Sequence, residues 1–282
     1  VGAADLSQLA AIGQVLLGSG QAWLPGQDRI ASGAQALDAG GLAPVRLGAK
    51  DALALVGSNA LSVATAALAQ RRAGLVAERA DLVAALTLEA IGANLSPFDA
   101  RVLAARPHAG QQVSGRRIRD VLDGGDLAAG LRPSETLQDP ISLRTVPQVH
   151  GALVDLLDDL ERMLVVELNC APDNPFLDTE RGIFLSNGNF SITNVAIGFD
   201  SLRIALAHVA GLTERRVSLL VRRLRLGVSL AEQVQAVTSA SGYVTPVILA
   251  QTASALVAQV THAAMPISLT GTTVGDGLED HS

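Results

Sequence analysis

The chain has 282 residues, 49% of them hydrophobic and only 2% aromatic, and its formal net charge is −6. The acidic balance excludes nucleic acid as a main partner, because phosphate binding needs a basic surface. A single cysteine, Cys170, excludes a disulfide framework, and with no signal peptide visible we expect a cytoplasmic protein. No apolar run reaches about 18 residues without polar breaks, so we expect no membrane span.

These proportions predict an all-α fold. Ala and Leu are strong helix formers, whereas strands favour aromatic and β-branched residues. We expect one mostly helical domain over 1–282, with long helices joined by polar loops, where sites are usually built. Because so apolar a chain often buries surface against copies of itself, we also expect an oligomer.

The first third of the chain carries clear helix signals. Leu6, Leu9 and Ile12 recur at spacings of three and four, Asp5 suits the cap position, and Gly18 ends the pattern. An apolar stretch follows that is typical of a buried helix. In chain order we predict a helix over 5–18, a strand over 21–24, a helix over 32–39, a strand over 44–47, a buried helix over 50–69 and a helix over 76–91.

The later elements are longer. Leu153, Leu157 and Leu160 lie on one face of 146–169, which predicts an amphipathic helix. Polar stretches rich in glycine or proline indicate loops between the helices. We predict loops over 124–133, 171–194 and beyond 265, and further helices over 96–105, 114–122, 195–212, 213–226 and 230–258, the last with breaks at Gly242 and Pro246.

The densest polar segment is 138–144, which reads Gln-Asp-Pro-Ile-Ser-Leu-Arg. Polar groups this dense must be paired or used, because burying them without partners costs several kcal/mol. The segment resembles a motif of the histidine and aromatic amino acid ammonia-lyases, and further family-like motifs follow the family's order along nearly the whole chain. They are 9–20, 49–55, 97–101, 106–108, 167–169, 173–175, 188–190, 212–216 and 279–281.

The resemblance implies a long-helix bundle of the ammonia-lyase (fumarase/aspartase-like) type with long site loops. It also implies a homotetramer in which each active site combines loops from three subunits. Family members extend beyond this chain on both sides, so 1–282 is expected to be the central part of a longer family fold. The family's tyrosine base would lie in the preceding part.

The family's electrophile is MIO (4-methylideneimidazol-5-one), a ring formed when an internal Ala-Ser-Gly cyclises and loses water. At the matching position this chain has Ala3 and Ala4 before Asp5, and the nearest hydroxyl is that of Ser7. Two interpretations are open. Either Ala3 or Ala4 stands for a modified residue, and the turn from Ala3 to Asp5 holds the electrophile, or the chain cannot make MIO.

Two side chains of 138–144 match substrate-binding residues. Arg144 matches the family arginine that holds the substrate carboxylate, and a guanidinium fork suits that role because it forms two hydrogen bonds. The alternative is an ion pair with Asp139 or a helix cap. Gln138 matches a glutamine near the substrate, with a loop hydrogen bond as the alternative. Ile141 departs from the family, which has a tyrosine there.

Other site residues follow from the resemblance. Asn169 and Asn174 match a loop that supports the MIO and the substrate carboxylate, and amides there could equally cap turns. Phe190 matches a phenylalanine stacked by the prosthetic group, with core packing as the alternative. Glu279 matches an acid beside the substrate amine, with a surface charge as the alternative.

Gly57 is a second departure, since the family has an asparagine there. The replacement puts a contact to the carboxylate or the oxyanion in doubt. Asn59, two residues on, would face a different side of a helix.

Two other polar patterns carry no site. The five histidines are scattered without metal-ligand spacing, so we expect no metal. Arg215 and Arg216 lie beside Glu214 at helical spacing, which indicates a solvated or interface face with ion pairs.

We therefore expect an ammonia-lyase-like enzyme, a carbon–nitrogen lyase that eliminates ammonia from a histidine-type or aromatic α-amino acid. Arg144 would orient the carboxylate, and Gln138, Asn174, Phe190 and Glu279 would line the pocket. The alternative is a non-catalytic homologue that keeps the helical scaffold as a structural or regulatory subunit. The identity of the amino acid, and the choice between lyase and aminomutase, stay open at this level.

Overall fold

The computed structural model describes residues 4–24, 26, 28–134, 136–227 and 246–269. Ala3, Glu279 and the predicted helical stretch 230–245 lie outside these residues. The chain divides into two compact units. The first is built from 1–69, 161–197 and 268–282, and the second from 70–160 and 198–267.

Helices carry most of the described residues, which confirms the all-α prediction. In chain order they are α1 Leu6–Leu16, α2 Gly33–Ala39, α3 Asp51–Val56, α4 Ala60–Ile91, α5 Ala100–Ala104, α6 Ala109–Leu122, α7 Ile141–Arg144, α8 Val146–Asn169, α9 Thr193–Gly227 and α10 Pro246–Ala263. A 3₁₀ turn spans Ser96–Phe98, and two antiparallel hairpins pair β1 Gln21–Trp23 with β2 Ile30–Ser32 and β3 Phe176–Asp178 with β4 Ile183–Leu185.

Several predicted elements are confirmed. The helix predicted over 146–169 has the bounds of α8. The helix predicted over 32–39 is α2, which begins one residue later because Ser32 is its N-cap. The Gln35 N–H donates to the Ser32 hydroxyl at 3.3 Å, and the Ser32 N–H donates to the Gln35 side chain at 3.2 Å. This capping box satisfies two backbone donors at the helix start.

The strand predicted over 44–47 is wrong, and its place as a partner is taken by β2. Gln21 lies opposite Ser32 and Trp23 opposite Ile30 in the first hairpin. Gly26 has a φ of 72° in the connecting turn. A partner this near in sequence closes a hairpin at little entropic cost.

The prediction of one buried helix over 50–69 is also wrong. Gly57, Ser58 and Asn59 separate α3 from α4, and no residue of α3 is buried. Glycine loses more conformational freedom in a helix than other residues, and Ser58 and Asn59 bond to residues 4 and 5. Beyond this break α4 runs without interruption through the predicted gap at 70–75.

One long helix, α9, replaces the two predicted over 195–212 and 213–226. Thr213 does not cap a new helix, because its hydroxyl donates to the carbonyl oxygen of Val209, one turn earlier, at 2.9 Å. This bond is typical of a threonine inside a helix.

The start of α6 is set by packing that the sequence does not show. The helix begins at Ala109 rather than at 114. The Gly110 N–H donates to the Asp155 carboxylate of α8 at 2.6 Å. A Cβ at position 110 would collide with the carbonyl oxygen of Gly151, so glycine here permits the close approach of the two helices.

The predicted loop 171–194 contains the hairpin of β3 and β4. Phe176 lies opposite Leu185, and Gly182 has a φ of 65° near the turn. Strands of three residues are too short to show a period of two, so the pattern was not visible in the sequence.

Two clusters of buried side chains form the core of the second unit. One packs Leu88 of α4 against α6 and α7, where Leu143 is fully buried. The other packs Leu153 of α8 against Leu202 of α9. The first cluster holds α7 through Leu143, and Arg144 is the next residue in that helix.

Two described stretches are long and apolar enough to cross a bilayer. They are Asp51–Ile91, with a mean hydropathy of 1.7, and Thr193–Arg223, with 1.4. Length and composition are weak grounds for a span, because core helices of soluble proteins pass the same test. Both stretches contribute side chains to the core clusters, and the expectation of no membrane span stays a prediction.

Candidate active site

A turn at residues 4 and 5 of the first unit is tied to the start of α4. The Asp5 N–H donates to the Ser58 carbonyl oxygen at 2.9 Å. The Asp5 carboxylate accepts hydrogen bonds from the Ser62 N–H at 2.8 Å and from the Ser62 hydroxyl at 2.6 Å. Asp5 therefore acts at the N-terminus of α4, where a negative charge is favourable. Asp5 occupies the predicted N-cap position of α1, but its carboxylate makes no hydrogen bond to that helix.

The backbone at Ala4 is left-handed, with a φ of 84°. For a residue other than glycine this conformation costs about 1–2 kcal/mol. The Ala4 N–H donates to Asn59 Oδ1 at 3.0 Å, and this bond helps to hold the conformation. The strain lies beside the position at which the resemblance implies the electrophile.

Asn59 does not lie within a helix, as helix periodicity predicted, but between α3 and α4. It is 4% exposed, and its Nδ2 donates to the carbonyl oxygen of Phe190 at 2.5 Å. It thus joins Ala4 to the loop before α9. Because Asn59 lies in the break between α3 and α4, helix periodicity does not set its direction. Gly57 caps α3 instead, with its N–H donating to the Leu53 carbonyl oxygen at 2.8 Å.

A second polar network in the first unit joins Lys50 to the loop after α8. Lys50 forms an ion pair with Asp173, whose Oδ1 is buried without a hydrogen-bond partner among the described residues. Asn174 Oδ1 accepts a hydrogen bond from the Asn187 N–H at 3.0 Å, and Asn187 Nδ2 donates to the Asp173 carbonyl oxygen at 3.0 Å. Lys50 and Asn187 were not selected from the sequence, although each lies in or beside a family-like motif.

Asn169 and Phe190 are placed differently from Asn174. Asn169 is exposed at the end of α8, and its Nδ2 donates to the Val165 carbonyl oxygen at 2.7 Å, within its own helix. Phe190 is half-buried and belongs to neither core cluster. The site roles of both residues stay predictions.

In the second unit, Arg144 ends α7 and its guanidinium faces Gln138. With the Gln138 amide oriented so that its oxygen faces Arg144, that oxygen accepts from Nη1 at 3.1 Å and from Nη2 at 2.9 Å. Arg144 Nε is buried without a hydrogen-bond partner in the described part of the chain. The structure therefore brings together the two residues of 138–144 that the sequence selected.

The alternative of an ion pair between Arg144 and Asp139 is not realised. Asp139 is buried and turned toward the loop after α4, where its Oδ2 accepts from the Asn94 N–H at 2.7 Å. Its Oδ1 accepts from the Thr136 hydroxyl at 2.8 Å. Across the described ranges no acidic side chain pairs with Arg144, so its charge faces only a neutral amide.

Gln148 is a half-buried polar residue close to Arg144 in the chain. It lies one helical turn beyond Arg144, on α8, and its Oε1 is buried without a hydrogen-bond partner in the described residues. Ile141, at the start of α7, is 62% exposed and offers no polar group. A motif read residue by residue gives no signal for Gln148, because glutamine on a helix is ordinary.

Arg215 and Arg216, neighbours on α9, lie in different environments. Arg215 is exposed and its Nη1 lies 3.4 Å from Glu214 Oε2, as the predicted ion-paired face requires. Arg216 is 2% exposed, so the prediction of a solvated or interface residue is wrong there. Burial lowers the pKa of Arg216 to about 10, and the negative charge of Asp81 opposes that shift.

No group of three or more His, Cys, Asp or Glu side chains in the described residues is arranged to hold a metal ion.

The sequence has no serine at the position that matches the MIO-forming segment of the family. Formation of the ring requires a serine that loses water, and the sequence has Gly2, Ala3 and Ala4 at the matching position. Ser7 is the nearest hydroxyl, but it is exposed on α1 and donates to Gln8 Oε1 at 2.9 Å. The chemistry of the ring is not assigned to the described side chains.

Comparison with curated relatives gives one consistent result. The family model for aromatic amino acid lyases matches residues 1–282. A histidine ammonia-lyase from Caldanaerobacter subterraneus subsp. tengcongensis is 36% identical over 279 residues, and one from Paracidovorax citrulli is 38% identical over 278. Each alignment covers 98% of this chain and 53% of the relative. The chain thus spans about half the length of the curated relatives it matches.

Solved structures agree with the sequence comparison. The histidine ammonia-lyase of Trypanosoma cruzi superposes with a TM-score of 0.83 at 29% identity, covering 99% of this chain and 52% of that one. The ergothioneine-degrading ergothionase of Treponema denticola gives 0.85 at 26% identity, covering 97% and 54%. The predicted ammonia-lyase type of helical fold is confirmed, and the chain belongs to the aromatic amino acid lyase family.

Proposed function

We propose that this chain supplies the carboxylate-binding part of an ammonia-lyase, a carbon–nitrogen lyase that eliminates ammonia from histidine or a related α-amino acid. The observation that carries the proposal is Arg144, which has no acidic partner among the described residues. Both of its Nη groups donate to the Gln138 amide oxygen. A carboxylate would bind there more strongly than an amide, because hydrogen bonds between ionised partners are roughly twice as strong.

Arg144 fixes the substrate by its carboxylate. A guanidinium fork sets both the position and the plane of a carboxylate, which is the orienting effect that elimination requires. Gln138 gives up its bonds to Arg144 as the carboxylate enters. The resemblance adds Asn174, Phe190 and Glu279 as lining residues. In the reaction a base removes a β-proton, the Cα–N bond breaks, the electron pair leaves with the amine, and a Cα=Cβ double bond forms.

The lack of a serine at Ala3 and Ala4 favours a second candidate class of substrate. An ordinary amine is a poor leaving group, so its elimination calls for an electrophile such as MIO. A trimethylammonium betaine needs no such help, because it leaves as neutral trimethylamine. Ergothioneine is a betaine of this type, and the ergothionase named above is similar to this chain. We therefore include a histidine betaine as the second candidate substrate.

We also propose that the protein is a cytoplasmic homotetramer. Exposed leucine and valine side chains on α4 support assembly from copies, because large apolar surfaces on one helix face usually mark protein contacts. Leu75, Val76, Leu82, Val83 and Leu86 are 44–59% exposed in the single chain. Light scattering of the purified protein would measure the mass of the assembly.

The activity test compares two substrates and one variant. Purified protein is incubated with L-histidine and, separately, with ergothioneine, and the absorbance of the unsaturated acid and the released amine are followed. Arg144→Met keeps the side-chain length and removes the charge, and we expect it to lower kcat/KM about 100-fold or more. An intact mass that differs from the mass of the written sequence would report a modified residue.

Turnover of neither substrate would refute the proposal and favour the non-catalytic scaffold homologue. Turnover that Arg144→Met leaves unchanged would refute the role of Arg144. Turnover of ergothioneine alone, with a mass matching the unmodified chain, would assign the betaine class.

A further inference from the structure

A cluster of four polar side chains is buried in the second unit, on four different helices. Asp81 of α4, Ser114 of α6, His150 of α8 and Arg216 of α9 are each at most 2% exposed. The Ser114 hydroxyl donates to Asp81 Oδ1 at 2.6 Å, and His150 Nδ1 lies 2.8 Å from the same oxygen. Because an ionised carboxylate only accepts hydrogen bonds, we assign the ring hydrogen of His150 to Nδ1.

Arg216 connects this cluster to α7. Its Nη2 donates to the Thr213 hydroxyl at 2.9 Å, within α9, and its Nη1 donates to the carbonyl oxygen of Ser142 at 3.4 Å. Ser142 is buried and lies two positions before Arg144 in α7. The negative charge of Asp81 acts on the Arg216 guanidinium and favours its charged form.

The cluster is an unfavourable way to stabilise a core. Buried charged groups recover their desolvation cost poorly, and apolar side chains of similar volume often stabilise a fold better. Buried polar groups can instead select one arrangement of the elements that they join. Here the joined elements are four long helices and α7, which is too short to keep its own orientation.

We propose that Arg216 is a positioning residue for Arg144. The guanidinium of Arg216 holds the Ser142 carbonyl, and its bond to Thr213 fixes it within α9. Leu143 anchors α7 on its apolar side, and Arg216 directs its polar side. Together they aim Arg144 at the substrate carboxylate. This inference rests on the proposed function of Arg144.

The test separates positioning from stability by comparing two ligands. L-Histidine and L-histidinol differ in the carboxylate, so the ratio of their dissociation constants reports the contact with Arg144 without requiring turnover. Calorimetry would measure both ligands on the wild-type chain and on Arg216→Met, Arg216→Lys, Ser114→Ala and Arg144→Met. Thermal unfolding would be measured for each variant.

We expect Arg216→Met to weaken histidine binding at least tenfold and histidinol binding less than twofold. Arg216→Lys keeps the charge and loses the planar fork, so it should recover part of the ratio. Ser114→Ala removes a hydrogen bond to Asp81 Oδ1 and leaves the bonds of Arg216 to Ser142 and Thr213 in place. It should therefore lower Tm while the ratio stays as in the wild type.

Three outcomes would overturn the inference. One is an unchanged ratio in Arg216→Met, or in Arg216→Lys if the methionine variant does not fold. Another is a loss of the ratio in Ser114→Ala as large as in the arginine variants, because general loosening would then explain both. A wild-type ratio near one, or an unchanged ratio in Arg144→Met, would overturn the proposed function as well. Loss in Arg144→Met without loss in Arg216→Met removes only the positioning role.

Discussion

Replacement of Asn59 by alanine would test how the turn at residues 4 and 5 is held. Asn59 is 4% exposed, accepts from the Ala4 N–H at 3.0 Å and donates to the Phe190 carbonyl oxygen at 2.5 Å. Each lost hydrogen bond costs about 1 kcal/mol, and the cavity left by the amide adds about 1 kcal/mol. We therefore expect Asn59→Ala to lower the free energy of unfolding by about 3 kcal/mol.

Urea denaturation followed by circular dichroism would measure this loss, with thermal unfolding as a second probe. For a chain of this size the expected fall in Tm is about 6–12 °C. Asn169→Ala is the matched control, because that amide is exposed and bonds only within its own helix. We expect it to cost less than about 0.5 kcal/mol. Equal losses in the two variants, or a loss below about 1 kcal/mol for Asn59→Ala, would show that Asn59 does not hold the turn.

Three further predictions concern single positions. Burial and the charge of Glu167 raise the pKa of the Cys170 thiol. Glu167→Gln should therefore lower that pKa and make labelling of Cys170 by a disulfide reagent at pH 8 about threefold faster. An unchanged labelling rate would contradict the effect of Glu167 on Cys170. Ala4→Gly should raise the free energy of unfolding by about 0.5 kcal/mol, because relief of left-handed strain exceeds the entropy cost of glycine. A lower free energy of unfolding in urea would argue against the strain. Gly110→Ala should lower the free energy of unfolding by at least about 2 kcal/mol, because the added methyl collides with the carbonyl oxygen of Gly151. A midpoint of urea denaturation equal to that of the wild type would show that α6 and α8 do not approach closely.

The sequence indicated several residues of the candidate site, but it did not show which of them form hydrogen bonds with each other. The segment 138–144 selected Arg144 and Gln138 together, and the structure places the amide oxygen of one on the guanidinium of the other. The same segment left an ion pair with Asp139 open. That alternative fails because Asp139 is used by Asn94 and Thr136.

The sequence by itself determined the family and the long helices whose signals are local. The helix over 146–169 needed only a repeating apolar face, and α2 needed only Ser32 and Gln35, three residues apart. Such signals act within one or two turns, so they survive without knowledge of the partners. The order of the family-like motifs likewise required no contact between them.

Tertiary structure alone decided where the polar side chains find their partners. Asp5 bonds to Ser62, and Asn59 bonds to Phe190, a residue 131 positions away in the chain. The sequence does not distinguish Arg216 from its exposed neighbour Arg215, yet Arg216 is buried and bonds to Ser142 of α7. Helix periodicity gives the direction of a side chain from its own axis, but whether that direction meets water or another helix depends on how the elements pack. For this reason the residues that support Arg144 emerged only from the folded chain.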